Sequence, residues 1–170
     1  MGIYKPLTTE HSYIGQATRG QAGVDFGMQV FVYKKFFVGG FAGYSFLEVI
    51  NTKLVGNYTR SRVFNTALEV GYELPLIKNL DLGISIAPLG YAAYRNYIGE
   101  GRVNQQRDEA YLTAIRVHFN YQFATNFGLF LRYAFRNDNT SIETASEIQD
   151  NFNNIQYHDI GVGLKYTLFK

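Results

Sequence analysis

Along residues 111–136 apolar and polar side chains alternate with a period of two, across two runs and the short break between them. In the first run Tyr111, Thr113, Ile115, Val117, Phe119, Tyr121 and Phe123 share one face, while Ala114, Arg116, His118, Asn120 and Gln122 share the other. Successive side chains of a strand point to opposite faces, so this period predicts a strand. After Ala124, Thr125 and Asn126 the alternation resumes, with Phe127, Leu129, Leu131, Tyr133 and Phe135 set against Gly128, Phe130, Arg132, Ala134 and Arg136. The two runs predict a hairpin.

The bulky face poses a question of volume. A closed barrel of about eight strands has an interior that side chains just fill. Rings of Phe and Tyr from every strand would overfill it, whereas Gly, Ala, Asn and a few ionic groups fit. Turned outward, the aromatic and aliphatic face needs an apolar solvent on all sides, which only lipid supplies. The pattern therefore predicts an all-β fold, a transmembrane antiparallel up-and-down β-barrel of about 8 strands.

Further strands are predicted over about 18–33, 36–49, 62–74, 80–97 and 156–169. Their lipid-facing positions include Val24, Phe26 and Val30, then Leu68 and Val70, then Ile84, and finally Val162, Leu164 and Tyr166. In the strand over 36–49 Val38, Ala42, Tyr44 and Phe46 form the outward set, but the pair Gly39-Gly40 is a place where a bulge would shift the register. Pro88 and Gly90 loosen the pattern of the strand over 80–97 in the same way. Short turns at 34–35, 75–79 and 124–126 alternate with longer polar segments at 50–61, 98–109 and 137–155. In the last of these Thr144 and Glu147 have capping-box spacing, with Ile148 and Phe152 one helical turn apart, which predicts a short helix. Tyr33, Phe36, Tyr72, Tyr94, Phe123 and Phe127 fall near strand ends, where interfacial aromatic girdles lie.

Seven strands are clear, and seven leave the termini on opposite sides. Single-chain barrels of bacterial outer membranes have an even number, and an open sheet edge cannot face lipid. An eighth strand is therefore expected in residues 2–16, over 3–7 or 11–16, closing against the C-terminal strand, although Pro6 removes a ladder donor there. Two alternatives stay open: the chain as given begins after the true first strand, or a partner supplies it.

Composition agrees with a single barrel domain over 1–170: the chain has 17 Gly, 14 Tyr and 14 Phe, no Trp and 3 Pro. Mean hydropathy is −0.14, and no run approaches the roughly 18 apolar residues of a membrane helix; alternating strands dilute the signal. A formal net charge of +2 with dispersed Lys and Arg gives no support to a nucleic-acid partner. Without Cys there is no disulfide framework and no thiolate metal site. Residues 1–6 show no basic start followed by an apolar segment, so an outer-membrane location implies that a signal peptide has been removed.

The phrases Val70-Gly71-Tyr72-Glu73-Leu74-Pro75-Leu76 and Gly161-Val162-Gly163-Leu164-Lys165-Tyr166 carry a resemblance. Over nearly all of residues 18–170 the chain resembles the small bacterial outer-membrane barrels of the OmpX and OmpA-barrel type, and more closely the porin-like barrels common in Bacteroidetes. The resemblance implies a bacterial outer-membrane location, with lipid, lipopolysaccharide and other envelope proteins as partners. The C-terminal assembly signal of such barrels ends on an aromatic; here Ile160 to Leu168 alternate, Phe169 falls on the other face and Lys170 follows.

Chemistry on the inward face is ionic. Asp25, Glu69, Glu73, Asp81 and Asp159 stand against Arg95, Arg116, Arg132, Arg136 and Lys165, with His118 among them. Near-balance of sign in a confined lumen predicts an internal ion-pair network, because unpaired buried charges are expensive. No catalytic, cofactor or metal residues are predicted: His11 and His158 have no ligand spacing with Asp or Glu, and there is no phosphate loop or nucleophile motif. The sequence thus points to a non-enzymatic barrel with a filled lumen, a structural or interaction protein working through its loops or its wall. A narrow channel for small solutes is the alternative, and a lipid-modifying enzyme using His118 is a third.

Overall fold

The computed structural model describes residues 1–99, 105–140, 142 and 150–168. Eight strands form a closed barrel in chain order, each antiparallel to the next. They are β1 (Gly2–Thr8), β2 (Thr18–Tyr33), β3 (Phe36–Val49), β4 (Arg60–Ile77), β5 (Leu80–Tyr97), β6 (Gln105–Gln122), β7 (Phe127–Thr140) and β8 (Asn154–Tyr166). The period-two pattern sorts side chains as volume demands. Phe26, Leu68, Ile84, Ile115, Leu131 and Val162 are exposed on the wall, and Asn65, Glu69, Ser85, Arg116 and Arg132 are buried within.

Closure comes from the first residues. β1 pairs with β8 from Gly2↔Gly163 to Thr8↔Tyr157, and with β2 over Gly2 to Tyr4. The β1–β2 ladder stops short of Pro6, which has no N–H to give. There the two backbones meet so closely that a Cβ on Gly20 would stand 1.6 Å from the Pro6 carbonyl oxygen. Of the two segments the sequence offers for this strand, 11–16 is not extended. Ser12 instead caps a short helix, α1 (Tyr13–Ala17), its Oγ accepting from the Gly15 N–H at 3.1 Å. The ring closes with the chain's own β1, so neither a missing strand nor a partner's strand is needed.

Several strands run longer than the hydropathy pattern suggests. An apolar band about 25 Å tall takes roughly ten residues of a tilted strand, whereas β4, β5 and β6 have 18 each. Beyond the band both faces meet water, so alternation fades while the ladder continues. This moves 105–109 into β6, 137–140 into β7 and 154–155 into β8. On the other side β4 passes through Pro75 to Ile77, and the turn contracts to Lys78-Asn79, with Asn79 at φ 68°. Two more helical turns, α2 (Thr52–Val55) and α3 (Asp150–Asn153), sit on the loop side with α1. The capping-box pair Thr144 and Glu147, with Ile148, lies outside the described residues, as do Phe169 and Lys170.

Ladders run unbroken through Gly39-Gly40, so the outward set of β3 stands as read. The consequential bulge is in β5, where Ile86 and Leu89 face Val70 and Leu68, and Ala87 and Gly90 face Ala114 and Leu112. Pro88, unable to donate, sits within it. One extra residue sends every later side chain to the opposite face. Below the bulge Gly83, Ser85 and Ala87 are buried; above it Ala92 and Tyr94 are buried and Arg95 is exposed. Two expectations are corrected by this one residue: Arg95 belongs to the outer wall and not the lumen, and Tyr94 lies inside the barrel and not in a girdle.

Candidate functional site

The lumen is crossed by charged groups in layers. Nearest the turns, Lys165 Nζ donates to Glu73 Oε1, Asn120 Nδ2 donates to the same oxygen at 2.8 Å, and His118 Nε2 stands 3.6 Å from it. Gly83 makes room for the imidazole, since a Cβ there would lie 1.9 Å from His118 Nε2. Next, Glu69 accepts from Arg116 Nη1 at 2.8 Å, from Ser85 Oγ at 2.8 Å and from Gln29 Nε2 at 3.3 Å. Arg132 donates to Asp25, and Arg116 Nη2 lies 3.9 Å from the same carboxylate. Nearest the loops, Arg136 pairs with Asp138 at 3.2 Å and Asp159 at 3.5 Å, its guanidinium 4.0 Å from the Tyr157 ring centre. Tyr94 donates to Asp138 and lies 3.0 Å from the Tyr157 hydroxyl.

Of the residues read as a lumen network, the structure brings together Asp25, Glu69, Glu73, Arg116, His118, Arg132, Arg136, Asp159 and Lys165. Asp81 occupies an inward position at the turn end of β5, half-buried, and makes no ion pair among the described residues. Arg95 is outside. Sequence reasoning missed Asp138, Tyr94, Tyr157 and Tyr4. Asp138 was legible by parity, because Ala134, Arg136, Asp138 and Thr140 continue one inward face. The space left among Tyr4, Asp25, Phe41, Arg116, Arg132 and Asp159 is about 20 Å³, room for about one water.

Among the described residues the ion pairs and hydrogen bonds of this arrangement assemble no serine nucleophile with a histidine base. His118 has Glu73 and the Phe37 ring, 6.2 Å away, as its ion-pair and ring contacts. His158 lies on the outer wall, its Nδ1 2.6 Å from the Tyr133 hydroxyl and its ring against Tyr133 and Phe135. Among the described residues no group of His, Asp and Glu could hold a metal ion.

At the loop-side mouth α1, α2, α3 and the strand ends enclose a pocket of about 110 Å³. Ile14, Leu47, Val49, Val55, Phe152 and Ile155 supply its apolar lining, and Tyr58, Asn96, Gln106 and Asp108 its polar one. The polar groups satisfy one another: Asn96 Nδ2 donates to Asp108 at 2.7 Å, Ser61 Oγ to Asn96 Oδ1 at 2.5 Å, and Tyr58 to Gln106. Burial, and then the nearby Asp108 charge, push the Tyr58 phenol above its ordinary pKa.

The outer face at the same height carries arginines. Arg62, Arg95 and Arg107 are register neighbours on β4, β5 and β6, with Arg60 a step above on β4. Arg60 and Arg62 lie over the Tyr97 ring at 5.2 and 5.1 Å. Arg107 pairs with Glu109 at 3.0 Å and reaches the Tyr91 hydroxyl at 3.2 Å. Arg60, Arg62 and Arg95 have no carboxylate partner among the described residues.

An antiparallel ring of eight strands with an apolar wall and a charged, filled interior defines the class of small transmembrane β-barrels. Solved structures share the fold. Neisserial surface protein A matches with a TM-score of 0.70 at 8% identity, over 98% of this chain and 94% of that one. Ail, the attachment invasion locus protein of Yersinia pestis, matches with a TM-score of 0.56 at 10% identity, over 97% of this chain and 93% of that one. Ail in complex with the heparin analogue sucrose octasulfate matches with a TM-score of 0.53 at 10% identity, over the same 97% and 93%. At these identities the likeness is one of fold. No family model matches the chain, and no curated protein matches it.

Proposed function

We propose that this chain is a non-enzymatic barrel of a bacterial outer membrane, a structural or interaction protein that works through its loop side and its lipid-facing wall and not through its lumen. The observation that carries this reading is the succession of pairs across the interior: Glu73 with Lys165, Glu69 with Arg116, Asp25 with Arg132, and Arg136 between Asp138 and Asp159. All of these but Arg136–Asp138, which lies within β7, join different strands, and about 20 Å³ of space remains beside the middle ones. A solute crossing the barrel would have to separate desolvated charges, at a cost of several kcal/mol per ion.

The location is supported by the apolar wall and by short turns on one side with longer loops on the other. Lipid and lipopolysaccharide are then partners of the wall, and other envelope proteins of the loops. Ail, a barrel of this fold, takes a polyanionic heparin analogue, which supports reading such barrels as interaction proteins. The resemblance to porin-like barrels of Bacteroidetes is one of sequence pattern, without the open channel that the word porin implies.

Single-channel recording from the purified barrel in planar bilayers tests the reading. A flat baseline is expected, and steady, reproducible conductance steps would overturn it in favour of a solute channel. Lipopolysaccharide acylation that disappears on His118→Ala would overturn the non-enzymatic part.

A further inference from the structure

We infer that the outer face of β4, β5 and β6, just above the aromatic band on the loop side, binds the phosphate groups of an anionic lipid of the outer leaflet, whose acyl chains lie along the apolar wall below. The inference rests on the outer-membrane reading and assigns a site to it.

The first support is position. Outward rows on these strands run from Leu68 and Leu89, through Thr66, Tyr91 and Tyr111, to Phe64, Ala93 and Glu109, and then to Arg62, Arg95 and Arg107. Aromatic rings of membrane proteins settle at headgroup level, and arginine stems reach from there to the phosphates. The arginines therefore begin where the hydrocarbon ends.

The second support is an unfavourable arrangement without a partner. Three guanidinium groups on adjacent strands, whose backbones are about 4.8 Å apart, repel one another, since like charges directly opposite in a sheet are destabilising. Glu109 answers only Arg107, and Glu48, in register with Arg60, makes no ion pair among the described residues. The Nε atoms of Arg60 and Arg62 are buried with no acceptor, against the Tyr97 ring that both overlie. A phosphate, which guanidinium forks grip in bidentate fashion, removes the repulsion.

The third support is that the charge is focal. On the next two strands, β7 and β8, the corresponding outward residues are amides, Asn137, Asn139, Asn154 and Gln156, and on the other flank Glu48 of β3 separates Arg60 from Arg19 of β2. A general need for solubility would not place arginines on three neighbouring strands and amides on the next two. Continuity with the apolar wall favours a lipid over a soluble anion, because a lipid occupies both surfaces at once.

The test is native mass spectrometry of the intact barrel in a zwitterionic detergent, with bis-phosphorylated lipid A, its dephosphorylated form and inorganic phosphate as probes. Retention of bis-phosphorylated lipid A is expected, falling by about tenfold or more in the Arg62→Gln/Arg95→Gln double variant, as the loss of a charge-assisted hydrogen bond implies. The variant keeps the side-chain stems, and its heat-modifiable gel mobility reports whether it has folded. Arg62→Lys/Arg95→Lys should bind between the two, and Asn137→Ala/Asn139→Ala should bind as the parent does. Equal retention of dephosphorylated lipid A, undiminished binding by the folded glutamine variant, or inorganic phosphate holding as tightly as the lipid would each overturn the site. Conductance steps from a barrel that still binds lipid through these arginines would instead overturn the closed-lumen reading and leave the site standing.

Discussion

Arg116, Arg132 and Arg136 inside the barrel, and Arg60, Arg62 and Arg95 outside it, are one residue type on one kind of strand, yet they face different surroundings. Inside, each guanidinium lies within 4.0 Å of a carboxylate, and Glu69 and Asp25 gather donors from more than one strand. A desolvated cation is too costly to leave unanswered, so the fold supplies its counter-charge. Outside, the fold supplies an aromatic ring beneath Arg60 and Arg62, and neither they nor Arg95 form an ion pair among the described residues. The internal arginines are paired across the lumen; Arg60, Arg62 and Arg95 have no carboxylate partner among the described residues.

If that contrast is sound, the two sets respond differently to substitution. The largest effect is expected at Arg136, wholly buried between two carboxylates. Arg136→Ala leaves Asp138 and Asp159 without their cation and should cost about 3–5 kcal/mol, read from urea unfolding in lipid vesicles. Loss under about 1 kcal/mol would show that the lumen charges are solvated. Placing a charge on the lipid side comes next: Leu131→Arg, near the middle of the wall, should cost about 2–4 kcal/mol, while Ala114→Ser, facing inward on β6, should do little. Equal tolerance at both would refute the orientation.

A double-mutant cycle sharpens the comparison further. Arg116→Gln and Glu69→Gln should show a coupling of about 1–3 kcal/mol, because they share a 2.8 Å contact at a buried site. The smallest effect belongs to the rim, where Arg62→Gln and Arg95→Gln should each change stability by less than about 0.5 kcal/mol in detergent free of anionic lipid. A large loss there would mean that these arginines serve the fold.

How far the sequence reveals this follows from what alternation can record. It records which face of a strand is apolar, so the hairpin of β6 and β7, and the inward charges on it, were legible residue by residue. It does not count residues across an irregularity. Pro88 and Gly90 mark the place of the bulge, but whether one extra residue is inserted decides whether Arg95 or Tyr94 enters the lumen, and pairing with Leu68 and Leu112 settles that. Where strands rise past the hydrocarbon, water bathes both faces and the pattern disappears; residues 105–109 and Asp138 therefore looked like loop. Pro6 hid β1 because its ladder to β2 covers only Gly2 to Tyr4, and its longer ladder to β8 joins the two ends of the chain.

The chain contains no Cys, so a single nitroxide can be attached at any chosen position. Spin labels placed in turn along β7, at Leu129, Phe130, Leu131, Arg132, Tyr133 and Ala134, with the barrel refolded into lipid vesicles, report collisions with oxygen, which dissolves in hydrocarbon, and with a water-soluble nickel complex. The inside-out barrel predicts a period of two: labels at Leu129, Leu131 and Tyr133 meet oxygen far more than nickel, and labels at Phe130, Arg132 and Ala134 meet little of either. Collision rates without that alternation, or with the odd positions open to nickel, would contradict it.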